Sequence, residues 1–129
     1  MANIGILVMS SPSASQNASS ALRLAQTIAT SEHNLLGVFF YQDGVHNANQ
    51  LQVSASNELN LYAAWTQLAT IHACPLLVCV TAASKRGVLS QLDASENDSE
   101  HFNLSAPFQS VGLGELAQLI RNSDRLVQF

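Results

Sequence analysis

Two cysteines carry most of the chemistry open to this chain. Cys74 precedes, and Cys79 lies within, the short apolar run Leu76-Leu-Val-Cys-Val80, which reads as a strand buried on both faces. A bridge between thiols five residues apart would distort such a strand, so free thiols in a reducing cytoplasm are expected. Cys79 falls at the end of the strand, just before a helix begins. The start of a helix carries partial positive charge and unsatisfied amide donors, which favour a thiolate, or a persulfide anion, over a neutral thiol. The Val-Cys-Val setting suits an inert buried cysteine equally well, and spacing alone does not separate the two readings. Cys74, immediately before Pro75 at a helix-to-strand corner, belongs to the opposite edge of the sheet and reads as a packing residue.

The remaining reactive side chains form no second centre. His33, His46, His72 and His101 are scattered and show no metal-ligand spacing with the cysteines, so no metal is expected. His46 lies in a loop beside the Cys79 edge and reads as a surface residue. Lys85 and Arg86 follow Cys79 by one to two turns and add positive potential from the far end of a short helix. No phosphate-binding glycine motif follows the first strand, and Gly112-Leu-Gly114 is too short a signal for one. Ser10-Ser-Pro-Ser13 has the composition of an anion cup, but serine-rich caps are common without a ligand. No cofactor is expected.

The elements that would position Cys79 follow from the apolar pattern. Residues 3–9, 35–41, 76–80 and 124–129 read as strands. Helices are expected over 18–29, from Leu61 to Ile71 up to Pro75, over Ala82–Arg86 ending at Gly87, and over 112–122 with Leu113, Leu116, Ala117 and Ile120 on one face. Residues 10–17 and 42–56 read as polar loops, and 90–107, with Asp93, Glu96, Asp98 and Glu100, as an exposed mobile loop. Alternating strands and helices imply an α/β fold with a parallel sheet covered on both faces. Chemistry in such sheets gathers at the carboxyl ends of the strands, where Met9–Pro12, Tyr41–Asn49 and Cys79–Arg86 should meet.

Composition narrows the function. The chain has 129 residues, enough for one domain with a real core and no repeats or linker. Hydrophobic residues make up 47% and charged residues 11%, against about 25% charged in an average soluble domain. So little charge implies that part of the surface is covered by other subunits. Five Lys and Arg and a net charge of -4 make no basic stripe, which argues against tight nucleic-acid binding. No apolar run reaches the length of a membrane span, and the first residues lack the basic start of a signal peptide.

These residues resemble the DsrE/DsrF family of sulfur-relay proteins over nearly the whole chain. The resemblance is carried by Gln16-Asn-Ala-Ser-Ser-Ala21, by Val38-Phe-Phe-Tyr41 with Gly44-Val45 and Asn47-Ala-Asn-Gln-Leu51, and by Cys79-Val-Thr-Ala-Ala83 with Arg86-Gly-Val88. Gly112-Leu-Gly-Glu-Leu-Ala117 and Asp124-Arg-Leu-Val-Gln-Phe129 complete it. It implies a three-layer DsrE-like fold around a mostly parallel five-stranded sheet. It implies that Cys79 is the persulfide-forming, catalytic cysteine of a sulfurtransferase working toward 2-thiouridine at the tRNA wobble position. Sulfur would come from a TusA-like donor and pass to a TusE-like acceptor, within a heterohexamer containing TusB- and TusC-like subunits. Relatives in sulfur oxidisers serve a different pathway. A non-catalytic assembly subunit would lack a reactive cysteine, and a nucleotide-binding module would need a phosphate loop. For a relay, Cys79 is expected in a shallow apolar pocket at the carboxyl edge, flanked by the 10–17 and 42–56 loops. Tyr41 or His46 should stand near its rim, with the 90–107 loop as lid or docking segment.

Overall fold

The computed structural model describes every residue from Met1 to Phe129. Five strands build one sheet: β1 (Asn3–Val8), β2 (Asn34–Phe40), β3 (Leu76–Cys79), β4 (Phe108–Val111) and β5 (Arg125–Gln128). Their order is β4-β3-β2-β1-β5, and every pairing is parallel. The near-continuous apolar runs of β1 and β2 end fully buried, as central parallel strands do. β4 was not legible as a strand, because Phe108-Gln-Ser-Val111 is short and half polar.

Helices α1 (Asn17–Ala29), α2 (Leu61–His72), α3 (Val80–Lys85), α4 (Gln91–Glu96) and α5 (Leu113–Asn122) connect the strands. α1 turns Ala18, Ala21, Leu22, Ala25 and Ile28 inward, and the three alanines let the helix lie close on the sheet. In α2 the Asn60 side chain caps the start by accepting from the Ala63 amide. The helix ends at left-handed Ala73, with φ 52°, and Pro75 forbids another turn.

The strand order decides which face each helix covers. The steps β1 to β2, β2 to β3 and β3 to β4 all run the same way across the sheet. Right-handed connections therefore place α1, α2 and the α3–α4 segment on one face. The step from β4 to β5 runs back across the sheet, so α5 alone crosses the second face, where it packs on β1 and β2. A Cβ on Gly5 would crowd Leu119 of α5 and one on Gly37 would touch it, which shows that these two positions face that helix.

Two segments read as loops have more structure than their composition suggests. Residues Gln42–Ala48 form a 3-10 helix that buries Val45, Asn47 and Ala48 completely. Gly44 is obligatory there, because a Cβ would stand 1.9 Å from the Val8 carbonyl oxygen. The 90–107 segment is also not a free loop. It contains α4, which buries Ala94, and it buries Leu104. The Asn103 side chain accepts from the Leu89 amide at 2.8 Å and donates to the Gly87 carbonyl at 3.0 Å. The Gln50 amide donates to the Asn103 carbonyl at 2.8 Å. These bonds fasten the segment to the carboxyl edge, and an acidic, serine-rich composition concealed them.

Candidate functional site

Cys79 closes β3 and occupies the cap position of α3, with extended backbone at φ -64° and ψ 115°. Its side chain makes no capping hydrogen bond, and the residue is 2% exposed. Alternation along the strand puts Cys79 on the same face as Leu77, which is the face that carries α5. Cys79 pairs in register with Val111 of β4. One step beyond the paired stretch of β2 and β3, Tyr41 stands on its other side. The Phe39 and Tyr41 rings meet edge to face at 6.5 Å, which keeps Tyr41 on that same face.

The expected convergence at the carboxyl edge is present. The 3-10 helix packs on α3 and β3. The Arg86 Nε donates to Asp43 Oδ1 at 2.8 Å, and an Arg86 terminal nitrogen donates to the Ala82 carbonyl at 3.1 Å. This partnership holds the exposed Asp43 carboxyl below the usual carboxylate range, chiefly through the Arg86 hydrogen bond. Arg86 is therefore engaged in tying α3 to the 3-10 helix, a use its sequence position did not reveal.

The pocket expected around Cys79 is not at that edge. A cavity of about 490 Å³ there is lined by Ser11, Pro12, Ser13, His46, Asn49 and Glu58 among others, and Cys79 is not among its walls. Strand alternation assigns Cys79 to the α5 face of the sheet, whereas that cavity lies among the loops. Tyr41 falls level with Cys79 in the strand register but lines no pocket around it, and His46 belongs to the separate loop cavity.

A second polar centre escaped the sequence reading. Asn47 is wholly buried. Its amide donates to the Gly44 carbonyl at 2.9 Å and the Ser10 carbonyl at 3.1 Å, and its side-chain oxygen accepts from Trp65 Nε1 at 3.2 Å. One side chain thus joins the end of β1, the 3-10 helix and α2. Asn47 was noticed only within a family motif; the apolar Val45 and Ala48 around it were the available signal of burial.

Cys74 lies at the other end of β3. It is buried, its sulfur donates to the Pro75 carbonyl at 3.6 Å, and burial pushes its thiol up to about 12. Both cysteines are free. No group of three His, Cys, Asp or Glu side chains is placed to hold a metal ion, and no helix is long and apolar enough to cross a membrane.

Comparison with known proteins fits this geometry. Residues 2–129 match the model of the DsrE/DsrF-like family. This chain belongs to that family. Among its relatives, the sulfurtransferase TusD homolog of Vibrio vulnificus strain YJ016 is 44% identical over 124 residues, spanning 96% of this chain and 95% of that one. Sulfurtransferase TusD of Serratia proteamaculans strain 568 is 45% identical, over 95% and 96% of the two chains. The sulfurtransferase activity and sulfur-relay role expected of a DsrE/DsrF member are thereby supported. The crystal structure of the ychN protein from E. coli superposes with a TM-score of 0.76 over 100% of both chains at 21% identity, which shows the shared fold.

Proposed function

We propose that this DsrE/DsrF member is a sulfurtransferase that accepts sulfur on Cys79 as a persulfide and passes it to another protein. The observation that carries this reading is the contrast at the two ends of β3. Cys79 stands at a strand-to-helix junction with no hydrogen bond from its side chain to the helix it caps, while Cys74 is held as a neutral thiol by burial. A relay of this kind needs one accessible sulfur and no cofactor. A second reactive thiol nearby would discharge the persulfide as a disulfide, and Cys74 lies beyond the other end of the strand.

The pathway we propose is 2-thiouridine formation at the tRNA wobble position, in the cytoplasm. A TusA-like protein supplies the sulfur, a TusE-like protein receives it, and TusB- and TusC-like subunits complete a heterohexamer. The naming of the relatives as TusD supports this choice over sulfur oxidation. Unburied apolar side chains support the assembly: Leu113 and Ile120 of α5 are about half exposed, and only Leu119 of that helix is buried. A helix that buries so little of its apolar stripe is made to be covered.

The test is to incubate the protein with a persulfidated TusA-like donor and map the product by mass spectrometry without reductant. The mass of one extra sulfur on the Cys79 peptide is the expected result. Sulfur on Cys74, or on neither cysteine, contradicts it. Co-purification with TusB- and TusC-like chains tests the assembly separately.

A further inference from the structure

The 90–107 segment and β4 enclose a cavity that the sulfur reading does not use. It measures about 510 Å³ and is walled by Leu92, Phe102, Leu104 and Phe108, with Asp93 and Ser110 in its polar half. That is the size of a ligand site. β4 is an edge strand, paired only with β3, so no further strand closes this side. Leu92 and Phe102 are exposed. Asp93 is the one charged residue of the cavity. Its Oδ2 accepts from the Ser90 hydroxyl at 2.7 Å and from the Ser110 hydroxyl at 2.8 Å. The Ser90 oxygen in turn accepts from the Asp93 amide at 3.1 Å, which caps α4.

Capping accounts for the Ser90 contact but not for the other oxygen, Oδ1. Oδ1 has no partner in the chain, and no buried side-chain oxygen is left without one, so Oδ1 is reachable by solvent. The chain's single ion pair joins Arg86 to Asp43 and leaves Asp93 without a counter-charge. A fixed carboxylate oxygen beside apolar walls fits a side chain that is cationic at its tip and apolar along its stem. Arginine grips a carboxylate best through both oxygens, but Oδ2 already receives two hydroxyls. The ammonium of lysine is a point charge that one oxygen serves, and its flexible stem suits the faces of Leu92 and Phe102. The surroundings favour positive charge. Asp93, Glu96, Asp98 and Glu100 fall within eight residues, and no Lys or Arg stands between Arg86 and Arg121.

We infer that this cavity is a docking pocket for one protruding lysine of a basic partner protein, whose ammonium meets Asp93 Oδ1 and whose stem lies on Leu92 and Phe102. A second copy of this chain is a poor source of that lysine. The chain has only Lys85 to offer and carries a net charge of -4, so two copies repel one another. The pocket stands apart from the sulfur-carrier reading, and its test involves no sulfur.

The experiment titrates the isotope-labelled full chain with the peptide acetyl-glycyl-lysyl-glycine amide and follows the backbone amide signals by NMR. Saturable shifts are expected at Asp93, Leu104 and Phe108. The same peptide with norleucine in place of lysine should bind about tenfold more weakly, and the arginine peptide should also bind more weakly. Asp93→Asn keeps an acceptor for both serines and removes the charge, so it should weaken lysine binding by about tenfold. Phe102→Ala, at an exposed position, should weaken it by about threefold. Glu96→Gln should leave it unchanged. The inference is overturned by the absence of saturable shifts, by norleucine or arginine binding as well as lysine, or by Glu96→Gln weakening binding as much as Asp93→Asn. Spermidine binding far more tightly than the peptide would make this a site for free amines. Self-association that disappears in Lys85→Gln would give it to a second copy. Either result overturns the assignment to a partner protein.

Discussion

Cys74 and Cys79 stand at either end of a single four-residue strand, β3, and are almost equally hidden, at 6% and 2% exposure. Burial therefore does not distinguish them. At the Cys74 end, α2 stops in a left-handed turn at Ala73, Pro75 precedes the strand, and the sulfur donates to a carbonyl one residue away. At the Cys79 end the backbone runs from strand straight into α3, and the side chain makes no capping hydrogen bond. A buried thiol is inert when its surroundings favour the neutral form and offer no route to it. A helix start, by contrast, offers amide donors that stabilise a sulfur anion.

The sharpest way to break this contrast is alkaline pH. In the folded chain the Cys74 thiol titrates at about 12, against 9.0 for an unburied thiol. Its contribution to stability is complete below about pH 9, because both states are then protonated. Between 9 and 12 the unfolded chain ionises first, so the contribution is lost as pH rises through that window. Three units correspond to about 4 kcal/mol at the upper end. Urea denaturation of wild type and Cys74→Ala from pH 8 to 11 should show a steeper alkaline loss in wild type. Parallel curves would mean that Cys74 is less buried than described.

The Cys79 end can be loosened through its polar anchor. Asn47→Ala removes the acceptor of Trp65 Nε1 and frees the Ser10 carbonyl. Leaving such a buried group unpaired costs about 1–3 kcal/mol, which a shift in the urea midpoint would report. A change near zero would mean that water replaces the side chain.

The smallest effect is expected at the Asp43–Arg86 pair, which is largely exposed on the Asp43 side. Exposed pairs are weak and screened by salt. Because Arg86 lowers the Asp43 carboxyl, the pair contributes above the usual carboxylate range. That contribution is lost as acid protonates Asp43 at its lowered value. Arg86→Gln should destabilise less than Asn47→Ala, and the difference from wild type should shrink in high salt and in acid. A larger, salt-independent loss would show that Arg86 acts mainly through its bond to the Ala82 carbonyl.

The layout of strands and helices was largely legible because the long apolar runs of β1, β2 and β3 and the periodic faces of α1 and α2 are strong local signals. β4 was hidden because an edge strand of four residues needs little apolar character. The 90–107 segment was hidden because its anchors, Asn103 to Leu89 and Gly87, join residues well separated in sequence. At the site, the position of Cys79 at the end of β3 was readable from the sequence. The direction of its sulfur was not, since that depends on which face receives α5, and thus on a strand order in which β4 lies at the far edge from β5. The loops were expected to flank the sulfur; they cap the strand ends and line a separate cavity whose walls do not include Cys79.

The central claim is that one of two equally buried cysteines carries the sulfur. The most direct measurement loads wild type, Cys79→Ser and Cys74→Ser from the same persulfidated donor and follows the intact mass, then the sulfur delivered to an acceptor thiol. Wild type and Cys74→Ser should each gain one sulfur and deliver it, while Cys79→Ser should gain none, because an alcohol cannot form a persulfide. Loading that survives in Cys79→Ser, or is lost equally in both variants, would contradict the assignment.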